Sequence, residues 1–260
     1  MNTSSKWVEN LKYEGYDHHC NSQQDLAVIK KLGRIWRETL KRTGIKPPST
    51  MFELGCGGGK HLAALALKGF HVHGIDVSPE VVTRCQNYLN EVSRFADTSI
   101  LATAEKADIF EYNSSEQYDL AYHFGVVEHF LEMSERMMIW KKLYDLTKPG
   151  GWVMSAVPNG SHLWREYIRK NNLCGYNIPE IDYSVTLHEK ELLDSGFQSV
   201  IAIPWNYFGF AEGIVKGKIN KALAKTIFLT SNGVIPVIPI PRTCKEKFAH
   251  TLLVLGQKAV

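Results

Sequence analysis

"FELGCGGGKH", residues Phe52–His61, places four glycines within five positions directly after a short apolar run. A strand that ends in bare backbone and runs straight into a helix marks a place where a ligand lies almost on the main chain. Three loop chemistries compete for this stretch. A phosphate-binding loop needs G-x-x-x-x-G-K-[ST]. Gly59 and Lys60 supply the GK, but position 54 is Leu and position 61 is His. A dinucleotide loop needs G-x-G-x-x-G. Gly55 and Gly57 fit it, and the third glycine falls on Lys60. The spacing that holds is G-x-G-x-G, at Gly55, Gly57 and Gly59. It lets a nucleoside cross the strand end without a pyrophosphate site at the helix N-terminus.

Working outward, "TMFEL" (50–54) reads as a buried strand, and Lys60–Lys68 as the helix after the loop. "FHVHGIDVS" (70–78) is a second strand that ends in an acid, Asp76, about 20 residues on, where a carboxylate can accept from both ribose hydroxyls. Pro79 opens a helix to about Leu89. "TSILA" (98–102) is the third strand and "YDLAYHF" (118–124) the fourth, followed by a helix near 134–147. "KPGG" is a turn into a fifth strand, "WVMSAVP" (152–158). "SVIAIP" (199–204) and "HTLLVLG" (250–256) are the last two. Upstream, residues 22–43 carry apolar positions at helical spacing up to Leu40, and "GIKPPS" stops that helix. Strands alternating with helices predict an α/β fold, a mostly parallel sheet with helices on both faces. Ligands on such sheets bind at the carboxyl ends of the strands, where the glycines and Asp76 fall.

Composition sets the outer bounds. The 260 residues are 44% hydrophobic and 22% charged, ordinary for a globular domain. The net charge of +3 and the lack of a dense basic stripe argue against nucleic acid. Five scattered cysteines (20, 56, 85, 174 and 244) form no C-x-x-C pair, which predicts reduced thiols and a cytoplasmic protein. No signal core and no run of 18 apolar residues is found.

Six segments then occur in order: "FELGCGGGKH", "GIDVSPEVV", "ADIFEYN", "YDLAYHFGVVEHF", "LTKPGGWVMSAVPN" and "LHEKELLDSGF". Together they resemble a class I S-adenosylmethionine-dependent methyltransferase of the small-molecule type, similar to the ubiquinone-pathway group. The resemblance covers about residues 50–204 and the final strand. It implies a Rossmann-like seven-stranded sheet whose last strand runs antiparallel between strands five and six. It also implies S-adenosylmethionine as cofactor and methyl transfer to a hydroxyl or amine of a small molecule. Residues 1–45 would form an N-terminal helical cap segment and 46–260 the cofactor-binding domain, with cap insertions at about 159–184 and 205–249.

The resemblance also assigns residues. Glu53, Gly55, Cys56, Gly57 and Gly59 would contact the amino-acid end of the cofactor. Asp76 would hold the ribose and Val77 line the adenine. Asp108 would receive the adenine amino group, with Ile109 on the ring, and Phe124 would lie where donor meets acceptor. His129, in "VVEHF", is the candidate base. Some relatives carry a Glu-x-x-Glu-His metal triad here. Glu128 and His129 match its last two positions, but Gly125 replaces the first Glu, so no metal is expected.

The acceptor is less legible. Tyr13, Tyr16, His18 and His19 of "WVENLKYEGYDHHC" (7–20), with His162, Trp164, Arg165 and Tyr183 of the first insertion, are the candidate acceptor-binding residues. Residues 211–228 read as a basic amphipathic helix, which leaves a lipid-like or quinone-like acceptor at a membrane surface as an alternative. A cofactor-binding regulator without turnover is the second alternative, since a fold does not fix a function.

Overall fold

The computed structural model describes residues 3–11, 16–171, 179–207 and 221–260. Seven strands form one sheet: β1 (Thr50–Leu54), β2 (His71–Asp76), β3 (Ala102–Lys106), β4 (Tyr118–Phe124), β5 (Thr147–Pro158), β6 (Gln198–Tyr207) and β7 (Ala249–Gln257). Their order is β3-β2-β1-β4-β5-β7-β6. Neighbours from β3 to β5 are parallel, and β7 runs antiparallel to both β5 and β6. The expected fold class is therefore the one observed. The chain reverses direction across the sheet between β3 and β4. That leaves a crevice beside β1 at the carboxyl ends of β1, β2 and β4, the usual ligand position in an open α/β sheet.

The helices are α1 (Thr3–Leu11), α2 (Gln23–Ile29), α3 (Arg34–Thr43), α4 (Lys60–Ala66), α5 (Pro79–Ala96), α6 (Met133–Leu146), α7 (Arg165–Lys170), α8 (Val185–Asp194), α9 (Lys221–Val234) and α10 (Arg242–Phe248). The period-2 pattern sends alternate residues to two cores. In β7, Leu253 and Leu255 enter the layer under α3, α4 and α5, whereas Leu252 and Val254 enter the layer under α6 and α8. Fully buried side chains of this size contribute roughly 1.5–3 kcal/mol each.

Several sequence expectations shift. The single helix over 22–43 is two helices, because the chain leaves the helical region at Gly33 before α3. The helix after Pro79 runs to Ala96, seven residues beyond Leu89, since Val92 still meets the core. The third strand consequently starts at Ala102, where it pairs with Val72. It is an edge strand with a polar sequence, so the apolar run at 98–102 misplaced it. "KPGG" lies inside β5 rather than before it, beside an irregularity in the β4–β5 register. Of the helix expected at 211–228, residues 211–220 lie outside the described residues, and α9 runs on to Val234. No described helix is long and apolar enough to cross a membrane.

Candidate functional site

The glycine loop joins β1 to α4 with positive φ at Gly55, Gly57 and Gly59. All three are required by close approach as well as by backbone angle. A Cβ on Gly55 would lie 2.6 Å from Val126 Cγ2, and one on Gly57 would lie 2.8 Å from the Tyr16 ring. The loop is tied to β2: Gly55 N and Cys56 N both donate to Ile75 O, at 2.9 and 3.0 Å. Gly57 N donates to Asp76 Oδ2 at 3.0 Å, and Ser78 N to Asp76 Oδ1 at 3.0 Å. Ser78 then caps α5 by accepting from Val81 N, with Pro79 in the first turn. The sequence "DVSP" thus fixes the acid, the cap and the helix start together.

Beside this loop lies a cavity enclosing about 650 Å³ of empty space, its open mouth included. Gly55, Asp76, Val77, Asp108, Ile109 and Phe124 all line it. Burial raises the Asp76 carboxyl above the usual carboxylate range, against the pull of its main-chain donors. Asp108 turns the chain after β3, accepting from Phe110 N at 3.1 Å. A buried acid at the end of β2, a second acid beyond β3, apolar walls from Ile75, Val77 and Ile109, and a glycine-built floor fit the ribose, the adenine and the amino-acid end of S-adenosylmethionine.

The other candidate residues take different places. Glu53 is buried behind the loop and accepts from the Tyr122 hydroxyl at 3.1 Å, and burial raises its carboxyl. Cys56 is buried, Gly57 lies beneath the ring of Tyr16, and Gly59 packs on Cys85, where a Cβ would be 2.5 Å from Sγ. Tyr16 lines the cavity, and His18 packs beside it on Gly58 and Tyr88. His19 is exposed and reaches Asp17 and Glu91 at 3.3 and 3.4 Å. Tyr13 lies outside the described residues.

His162, Trp164, Arg165 and Tyr183 of the first insertion do not line the cavity. His162 Nδ1 accepts from Trp164 N at 3.1 Å, and Trp164 is 47% exposed. Arg165 pairs with Glu180 and, at 2.9 Å, with Asp182. Tyr183 is fully buried, its hydroxyl bonded to Glu191. Glu191 also pairs with Arg136 at 2.9 Å and accepts from Trp140 Nε1 at 3.0 Å. Arg136 in turn donates to the carbonyls of Phe130 and Leu131, at 2.9 and 2.7 Å. This buried network clamps the segment after β4, and Phe130 of that segment lines the cavity.

The clamped segment holds His129 in a 3-10 turn, Val127–His129. His129 Nδ1 meets the Pro179 carbonyl at 3.2 Å, so Nδ1 carries the proton and donates. Burial lowers the imidazole's pKa, and the bond to Pro179 partly opposes this. The ring lies edge-on to Trp7, with centroids 4.9 Å apart. Trp7 forms the cavity wall at this point, with Gly125 and Val126. Trp7 was within the quoted N-terminal stretch but was not among the candidate residues. An aromatic spaced from Tyr16 across a short helix was the available signal. Glu128 is 1% exposed, and burial pushes its carboxyl up to about 8.

Comparison with known proteins agrees with this geometry. A family model described as a methyltransferase domain matches residues 28–191. The chain is 24% identical over 138 residues to a ubiquinone biosynthesis O-methyltransferase of Hydrogenovibrio crunogenus, covering 53% of this chain and 54% of that one. It is 26% identical over 161 residues to a probable thiol methyltransferase 2 of Arabidopsis thaliana, covering 62% of this chain and 64% of that one. The chain thus spans between about half and two thirds of these relatives' lengths. Among solved structures, a magnesium protoporphyrin IX methyltransferase of Synechocystis with bound SAH matches with a TM-score of 0.61 at 13% identity, covering 99% of this chain and 100% of that one. With its sheet order, its glycine loop and a family match over more than half its length, the chain belongs to the methyltransferase domain family, in the class I S-adenosylmethionine-dependent group.

Proposed function

We propose that this protein transfers a methyl group from S-adenosylmethionine to a hydroxyl of a small, aromatic acceptor. The observation that carries the reading is the cavity at the carboxyl ends of β1, β2 and β4, which joins the glycine loop to Asp76 and Asp108. The cofactor supplies a methyl group on a positively charged sulfur, a good leaving group in place. The protein's part is placement and exclusion of water, and placement is worth roughly 7–11 kcal/mol. Asp76 holds the ribose hydroxyls and Asp108 the adenine amino group. Val77 and Ile109 pack on the base, and the main chain of Gly55–Gly59 takes the amino-acid end. Glu53, held by the Tyr122 hydroxyl, stands behind that end. Phe124, Gly125 and Trp7 bound the space left for the acceptor.

Residues 1–45 act as the cap, with Trp7 and Tyr16 closing the cavity. The hydroxyl acceptor is supported by the names of several curated relatives, which are O-methyltransferases. A thiol acceptor is the second reading, favoured by the Arabidopsis relative. In the hydroxyl reading His129 serves as proton acceptor only once Trp7 moves aside, because the indole ring between it and the cavity carries no proton relay. Purified protein incubated with S-adenosylmethionine and separate panels of catechols, phenols and thiols tests all of this. Expected is S-adenosylhomocysteine formed with the phenolic panel. Product from thiols alone selects the second reading. Cofactor binding with no product from any panel marks a regulator without turnover.

A further inference from the structure

Gly125 leaves the turn after β4 one carboxylate short of a ligand triad, but a third acidic group arrives from a distant segment. Ile181 N donates to Glu128 O at 2.8 Å, and the Pro179 carbonyl accepts from His129 Nδ1 at 3.2 Å. These two ties, on either side of Glu180, hold its side chain against the turn. One ligand-type atom from each of Glu128, His129 and Glu180 then lies within 4.8 Å of the others, the one such trio among the described residues. Atoms bound to a single ion at about 2.0–2.4 Å can be no more than about 4–5 Å apart, so the three span the size of a coordination shell.

Two further features point to a cation. Glu128 Oε2 is buried and has no hydrogen-bond partner, and a buried carboxylate oxygen left so is costly. His129 donates from Nδ1 to a main-chain carbonyl, so Nε2 is its ligand-type nitrogen in this tautomer. A ligating histidine is usually oriented in this way, by a hydrogen bond from its other nitrogen. Arg165 pairs with Glu180, yet one oxygen of a carboxylate can serve a guanidinium while the other serves an ion.

We propose that Glu128, His129 and Glu180 bind one divalent cation of the hard or borderline kind, such as Mn²⁺, Mg²⁺ or Zn²⁺. Two carboxylates and one imidazole are the donor set such ions prefer. The ion would lie behind the cavity wall at Gly125 and Trp7. Its role toward an acceptor oxygen there rests on the proposed function; its binding does not. With the ion in place His129 is a ligand and no longer the base of the hydroxyl reading.

The test is a binding experiment on the full chain, stripped with a chelator and titrated with MnCl₂ by calorimetry and by loss of the free-ion paramagnetic resonance signal. Expected is saturation at one ion per chain. Glu180→Gln and Glu128→Gln should each weaken binding at least tenfold, with S-adenosylmethionine affinity unchanged. Glu180 lies at the half-buried rim, so its variant carries the test if the Glu128 variant fails to fold. No saturable binding of Mn²⁺ or Zn²⁺ up to 1 mM, or Glu180→Gln binding like wild type, would overturn the proposal. Turnover is not read, so a failure of the proposed function leaves this result standing, and the reverse.

Discussion

The half of the molecule before β4 and the half from β4 onward treat buried polar groups in opposite ways. In the first half the buried acids are fully served by their own surroundings. Asp76 takes two main-chain N–H groups, and Glu53 takes the Tyr122 hydroxyl. In the second half lie all the buried side-chain atoms without a partner among the described residues, including both ring nitrogens of His123 and of His188, Ser155 Oγ and Glu128 Oε2. The first half is complete as a fixed cradle for one cofactor. The second carries buried polar capacity that the described residues do not use.

The largest expected effect breaks the first half. Gly57→Val places a branched side chain at a φ of +51° and into the ring of Tyr16. Cofactor binding measured by calorimetry should vanish while circular dichroism still shows the fold. Normal affinity in a folded variant would reduce the loop to a plain turn.

Glu191→Ala breaks the buried network around Arg136 in the second half. It strands Arg136, which is buried, and frees Trp140 and Tyr183. A loss of about 3–5 kcal/mol in denaturant unfolding is expected, as for other broken buried pairs. A loss under 1 kcal/mol would mean that the clamp on Phe130 is held by packing instead.

The unpartnered histidines set a pH dependence of somewhat smaller size. Burial lowers both His123 and His188 to about 3, so the folded protein keeps them neutral. Unfolded, they protonate below about 6.5. Their contribution is therefore fully present above pH 6.5 and is lost as pH falls from there toward 3. His188→Leu should flatten the decline by a few kcal/mol between pH 6.5 and 4. An unchanged acid-unfolding curve would show that the ring is charged or hydrated in the fold.

The last variant sharpens the contrast rather than breaking it. Asp76→Ala removes the acceptor for the ribose and leaves Gly57 N and Ser78 N unserved. Cofactor affinity should fall by roughly 1.5–3 kcal/mol for each charged hydrogen bond lost. Unchanged affinity would reassign Asp76 to the loop alone.

The two halves also differ in how well the sequence announces them. The glycine loop, Asp76 and the Ser78–Pro79 helix start are local, because each partner lies within a few residues or on the next strand. Those are the distances over which spacing carries information. The second half is built from contacts over 50 residues or more. His129 meets Pro179, and Arg136 meets Glu191. Nothing in the spacing of Tyr183 marks it as a core residue. Its hydroxyl, which suggested a binding group, is taken up by Glu191 eight positions on. Glu180 was missed for the same reason: its neighbours are set by the fold, not by sequence interval. The third strand was misplaced because an edge strand needs only one apolar face, and "ATAEK" gives almost none.

The antiparallel insertion of β7 has a consequence for the order of synthesis. β6 touches the sheet only through β7, and β5 presents its free edge until β7 pairs with it over Trp152–Pro158. β7 is made last of the seven. Between the synthesis of β5 and that of β7 the chain therefore carries a five-stranded sheet with an open apolar edge and, once β6 is made, a loose sixth strand. An open edge of that kind can recruit another chain. The window in which this protein can misassemble closes when "HTLLVLG" slides into its slot.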